Sequence, residues 1–177
     1  MELFESLKRR RAVRDFTSTA IPDDILTKLV YAARRAPTGA NAPYRRILVV
    51  KDQRTISLVK QVSPGIRGSP KALIVIFTDL DVAKKQFGKL GDICSPMDAG
   101  AAAENVALAA VGLGLGSCFT KSYSEVGVKE ILEIPTNCRT EIMVQLGYPK
   151  NEQPRPAKRK SGADTIYLDR YGREWEA

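Results

Sequence analysis

The chain has 177 residues, 44% of them apolar and 27% charged, with a formal net charge of +8. That is the length of one domain able to bury its own core without metal or disulfide support. The charge admits nucleic acid, a membrane surface or a small anion as partner, while the complete lack of histidine excludes Ser-His-Asp and Cys-His catalysis and most zinc sites.

A first helix is expected to end near Arg9, inside the stretch KRRRAVRDF, which carries Lys8, Arg9, Arg10, Arg11 and Arg14. If the chain then runs extended, Arg10, Ala12 and Arg14 share one face. Two guanidinium forks would flank a small residue and leave room for a phosphate. The alternative is a solvated helix end, where cations suit the dipole.

Residues 22–36 read as a helix, with Pro22 at its start, Asp23 and Asp24 at the positive end of the dipole, and one apolar face from Ile25 to Ala33. The loop APTGANAPYR, 36–45, follows. Gly39 and Asn41 sit where positive φ is available, and Pro37 and Pro43 stiffen the ends. Such a loop is either a plain turn or a rigid ligand contact.

Residues 46–51 read as a strand buried on both faces, 52–62 as a helix, 63–70 as a loop and 72–79 as a second buried strand. A long helix over 95–112 is apolar on nearly every side, the pattern of a central buried rod. Its polar residues Asp98, Glu104 and Asn105 need partners. Glu104 and Asn105 are expected to hold loops or a subunit interface rather than to catalyse. Residues 117–120 read as a short strand, 126–132 as a helix and 141–148 as a third long strand. The tail from 149 on carries Lys158, Arg159 and Lys160, then TIYL, a short apolar run that needs a sheet edge to pair with. It is expected to float or to lie across another surface such as a partner subunit. The mixture of strands and helices gives an α+β class.

GLGLG, 112–116, is not a dinucleotide fingerprint, because it has the wrong spacing and follows a helix instead of a strand. It reads as a helix cap and turn. No P-loop is present. Nucleic-acid binding is disfavoured because no aromatic residue interleaves with the arginines. Membrane binding lacks a bulky apolar face beside the charges, and 99–115, the nearest approach to a spanning segment, is broken by Glu104 and Asn105. Residues 1–7 are unlike a signal sequence. With Cys94, Cys118 and Cys138 widely spaced, a cytoplasmic protein with free thiols is expected. Two cation clusters, 8–14 and 158–160, could converge on one dianion.

Taken in order, RRAVRDF (10–16), APTGAN (36–41), DAGAAAENVALAAVGLGLGSC (98–118) and GYP (147–149) with a basic patch beyond resemble the nitroreductase family of FMN-dependent oxidoreductases, in its short form. The resemblance implies an α+β fold around a mixed, mainly antiparallel sheet, in one domain whose tail, 150–177, extends onto the partner of a homodimer with FMN at the interface. It implies FMN contacts from Arg10, Arg11, Ala12 and Arg14, with Arg14 beside the flavin edge where negative charge develops on reduction. Pro37, Thr38, Gly39 and Asn41 would reach the flavin from the partner chain. Thr120, Lys121 and Ser122 would pass the ring near N5, and Arg159 and Lys160 would close on the phosphate. No metal is implied. NAD(P)H would deliver hydride to N5, and a small oxidant such as a nitroaromatic or quinone would take the electrons at the same face, by ping-pong kinetics.

Three positions depart from the family pattern. Ala12 stands where serine is frequent, NAP replaces a longer Asn-x-Gln-Pro run after Asn41, and Lys121 and Ser122 stand where glycine or an acidic residue is usual. The alternatives are a superfamily member of other specificity, a flavoprotein without turnover, and a basic nucleic-acid-binding protein that holds no flavin.

Overall fold

A computed structural model describes residues 2–151 and 165–175. The elements run α1 (Leu3–Arg9), α2 (Asp23–Arg35), β1 (Arg45–Val50), α3 (Gln53–Gln61), β2 (Ala72–Asp79), α4 (Leu80–Phe87), α5 (Gly91–Gly112), β3 (Gly116–Thr120), α6 (Glu125–Leu132) and β4 (Cys138–Gly147). The four strands pair antiparallel in the order β1-β2-β4-β3. Among the described residues the only parallel contact is a bridge between Ala12 and Ser117.

Burial follows the strand alternation. On one face Ile74, Ile76, Val144 and Leu146 pack with Leu26, Leu29, Ala102 and Val106 of α2 and α5. On the other, Leu73, Val75 and Met143 pack with Ile56, Val59 and Val128 of α3 and α6. The sheet is thus the middle of three layers, with residues 72–76 of β2 fully buried.

Four expectations need correction. β1 is an edge strand, so its residues are half covered and only Val50 is buried. Helix α5 begins at Gly91, before the expected start at 95. Pro96 reads as a helix start, but the Ser95 hydroxyl bonds back to the Gly91 carbonyl at 2.8 Å and the preceding turn is helical. The same helix is covered on one side only. Ala99, Ala102, Ala103, Val106 and Ala110 are buried, yet Ile93 and Met97 are 61% and 69% exposed. Finally, α4 has no counterpart in the sequence reading. It is short, is capped by Asp79 and has one buried residue, Ala83.

A buried carboxylate ties α5 to the sheet. Glu141 sits opposite the register shift at Ile76/Phe77 and accepts from Thr78 at 2.8 Å and from Arg139 at 3.0 Å. Arg139 also reaches Ser95 and Asp92 at the start of α5. Among the described residues no helix is long and apolar enough to cross a membrane.

Candidate functional site

After α1 the chain runs as an arm over the end of the sheet. Val13 donates its N–H to the Ser117 carbonyl at 2.8 Å, and Thr17 donates to Tyr148 at 2.8 Å. The arm lies this close because residue 116 is glycine, where a β-carbon would stand 2.6 Å from Val13 Cβ. Extended backbone alternates its side chains. Arg10, Ala12 and Arg14 accordingly line one cleft, of about 160 Å³, with Ser117, Cys118 and Phe119 of β3. Arg9, Arg11 and Val13 line a separate one against Gly114, Leu115 and Gly116. The structure brings together three of the four residues singled out in this arm and places Arg11 elsewhere, where it donates to the Asn151 carbonyl at 3.3 Å.

Arg10 pairs with Glu104 of α5 at 3.1 Å, each side chain more than a third exposed. In water-accessible surroundings such a pair is weak and can yield to a stronger anion. Arg14 is exposed, and its side chain has no hydrogen-bond or ion-pair partner among the described residues.

Thr120, the last residue of β3, and the two that follow it divide. Thr120 is buried, its hydroxyl accepting from Gln145 and donating to the Gly65 carbonyl. Lys121 turns its ammonium to the Thr140 carbonyl at 3.2 Å and the Tyr123 hydroxyl at 3.4 Å. Ser122 is exposed and its carbonyl accepts from Gly65 N–H at 3.0 Å. The loop over 63–70, which carried no functional signal in the sequence, therefore holds Thr120 and Ser122 in place, although none of residues 120–122 lines the Arg10–Arg14 cleft.

Pro37, Thr38, Gly39 and Asn41 do not line the Arg10–Arg14 cleft. Their loop is fixed from two sides. Asp98 of α5 accepts the Gly39 N–H at 2.8 Å and the Tyr44 hydroxyl with the same oxygen, Oδ2. Arg45 donates to the carbonyls of Ala36 at 2.8 Å, Pro37 at 3.1 Å and Asp98 at 3.3 Å. Burial, then the Asp98 bond and charge, push the Tyr44 hydroxyl up to about 12, and burial lowers Arg45 from its ordinary value. The left-handed residues are Ala40 and Asn41, with φ of 47° and 55°, whereas Gly39 stays out of that region. Two adjacent non-glycine residues there are strained, and the Asp98 and Arg45 bonds on either side hold them. Asn105 ties α5 to α2 through the Ala32 carbonyl at 3.1 Å.

Arg159 and Lys160 lie outside the described residues. A larger cavity, about 710 Å³, lies between α6 and the start of β4 and is lined by Val126, Lys129, Ile134 and Arg139 among others. None of the flavin-contact residues expected from the sequence lines it, and Lys129 is already bonded to the Thr136 and Cys138 carbonyls. The smaller cleft has the convergent cations, so chemistry and not volume marks the site. Among the described residues no group of side chains could hold a metal ion.

The family model described as "Putative TM nitroreductase" matches residues 2–175. A protein of Archaeoglobus fulgidus named "Putative NADH dehydrogenase/NAD(P)H nitroreductase" is 30% identical over 158 residues, covering 86% of this chain and 88% of its own. Among solved structures, a nitroreductase family protein from Clostridium novyi NT superposes with a TM-score of 0.78 at 26% identity, covering 99% of this chain and 97% of its own. An FMN-dependent nitroreductase from Clostridium difficile R20291 superposes at 0.73 with 25% identity, covering 85% and 89%.

Proposed function

The chain belongs to the nitroreductase family, and on that premise we propose that it is an FMN-dependent, NAD(P)H-consuming oxidoreductase acting on a small organic oxidant such as a nitroaromatic or quinone. The observation that carries this reading is the stripe of Arg10, Ala12 and Arg14 held against Ser117 by the parallel bridge.

The donor set fits a flavin mononucleotide. Arg14 is an exposed guanidinium with no partner among the described residues, Ala12 puts only a methyl group between it and Arg10, and the Arg10–Glu104 pair is exposed enough to exchange for phosphate. Arg10 would bind the phosphate end and Arg14 the pyrimidine edge, with Thr120–Ser122 as the rim and Arg159 and Lys160 joining from the tail. Bound FMN supplies a two-electron carrier between NAD(P)H and the oxidant, which makes ping-pong turnover the expected kinetic form. The protein's part is to bind, orient and polarise. Arg14 would put positive charge where negative charge develops on reduction. A chain without histidine then needs no acid–base residue of its own, because protons can come from water.

The site is completed by a second copy of the chain. Leu3, Phe4 and Leu7 of α1, and separately Leu90, Ile93 and Met97 around the start of α5, are exposed apolar side chains of the kind that marks subunit interfaces. The Pro37–Asn41 loop, apart from the arginine cleft in its own chain, would serve the partner's. The described part of the tail supports exchange as well. Among the described residues, 165–175 bond only to one another, through Trp175 N–H to the Ile166 carbonyl and Leu168 N–H to the Arg173 carbonyl, and all are exposed. Edge strand β1 is flanked by open grooves at Leu48, Val50 and Ile131 on one face and at Leu26, Val30 and Val49 on the other. A partner's TIYL run would meet that edge with alternate side chains on both faces. Three cysteines, all free, support a cytoplasmic setting.

Titration of FMN by its fluorescence tests the reading. Stoichiometric quenching, one flavin per chain, is expected, and no change on adding protein would overturn it.

A further inference from the structure

The loop over 63–70 does more than fill space beside the rim. Ile66 is buried and anchors it in the core. On one side Gly65 bonds to Ser122 and accepts from Gln145. On the other, Gly68 takes φ of 67° and lies so close to the arm that a β-carbon there would overlap the Arg14 carbonyl oxygen. Lys60 holds the Gly68 carbonyl at 2.6 Å. Between these two fixed points stands Arg67, next after the inward-facing Ile66 and itself exposed. Arg67, like Arg14, has no side-chain hydrogen-bond or ion-pair partner among the described residues.

Two guanidiniums on neighbouring backbones, neither paired among the described residues, repel one another, and the Asp15 carboxylate that follows Arg14 in the chain is paired with Lys150 at 3.4 Å. An anion brought between or beside them relieves that repulsion. Arg14 is committed to the cofactor in the reading above, which leaves Arg67, exposed on the loop that presses against the Arg14 backbone, to meet an anion arriving from solvent.

We propose that Arg67 recognises a phosphate group of the reducing dinucleotide, with Gly65 and Gly68 positioning it, so that it sets affinity and preference for the donor. The proposal rests on the flavin reading of the Arg10–Arg14 cleft. Two phosphate sources share this chemistry: the 2′-phosphate that only NADPH carries, and the pyrophosphate common to both donors.

The test uses the FMN-loaded protein and its Arg67→Ala and Arg67→Lys variants. Calorimetric titration with NADP⁺ and NAD⁺ gives affinity, and anaerobic rapid mixing with NADPH and NADH gives the rate of flavin bleaching. Losing one charge-assisted contact to phosphate should weaken binding roughly ten- to hundredfold, with Arg67→Lys recovering part of the loss. A loss confined to NADP⁺ and NADPH assigns the contact to the 2′-phosphate. Equal losses for both pairs assign it to the pyrophosphate. Unchanged affinity and rate for all four nucleotides would overturn the proposal. Arg54→Ala, which removes an exposed cation from α3, should change none of them, and an equal loss there would reduce the effect to bulk charge and also overturn it. Retained flavin absorbance in Arg67→Ala separates these outcomes from failure of the cofactor reading, in which no form of the protein would take up FMN.

Discussion

Tyr44 and Asp98, far apart in the chain, meet through a hydrogen bond in which the tyrosine hydroxyl donates to Oδ2 of the carboxylate. The same oxygen accepts the Gly39 N–H, so one carboxylate on α5 sets the course of the loop that the flavin reading assigns to the partner's site. Tyr44 is fully buried. Tyr44→Phe leaves Asp98 short of a donor and is expected to destabilise the fold by about 1–3 kcal/mol, read from urea unfolding. FMN affinity should fall with it, because the strained Ala40–Asn41 turn loses a support.

That hydroxyl also has a pH signature. Its value in the fold, about 12, lies above the ordinary tyrosine value of roughly 10. A group raised in this way contributes stability that is complete below the unfolded value and is lost as pH climbs through the folded one. Stability should therefore fall between about pH 10 and 12. The difference spectrum of tyrosinate should show Tyr44 ionising late, and Tyr44→Phe should remove one tyrosine from the late component while leaving Tyr123, which burial raises further still.

Arg14→Ala takes away the charge beside the proposed pyrimidine edge. FMN should bind roughly tenfold or more weakly, and the potential of whatever flavin remains bound should drop. Arg9→Ala, which alters the other cleft, should change both much less. Equal effects in the two variants would remove Arg14 from the site.

Gly116→Val would drive a branched side chain into Val13, whose atoms already stand within 2.6–2.8 Å of where a β-carbon would be. Overpacking of this kind costs about 1–3 kcal/mol. The arm has no slack, so it should peel from β3 and FMN binding should fall further than stability does.

The apolar surface at Ile93 and Met97 gives an assembly prediction. The double substitution Ile93→Lys and Met97→Lys should convert a dimer to a monomer in light scattering. If the site is shared between chains, flavin should be lost at the same time.

The central strands and the two long helices were legible from the sequence because their signals are local: an uninterrupted apolar run for β2, and capping acids with one apolar face for α2. The alternation of the basic arm was legible for the same reason. What escaped was set by tertiary contact. The half-exposure of β1 follows from its place at the sheet edge, which apolar content does not reveal. The one-sided burial of α5 reflects a surface left open by this chain. Helix α4, with Ala83 as its one buried residue, has almost no periodic signal. Asp98 was visible as a polar residue on an apolar rod, but its partners, Gly39 and Tyr44, come from another part of the chain. Nothing in SPGIRGSP hinted that its glycines press against Arg14 and Ser122, since close approach shows only once the fold has formed.

The central claim is that the arginine stripe holds a flavin that NAD(P)H reduces. The most direct test is an absorption spectrum of the protein loaded with FMN, followed under anaerobic conditions as NADPH and then NADH are added. Flavin bands that bleach with at least one donor, and return when a nitroaromatic or quinone is admitted, are the predicted result. Bands that persist with both donors, or a protein that takes up no FMN, would contradict it.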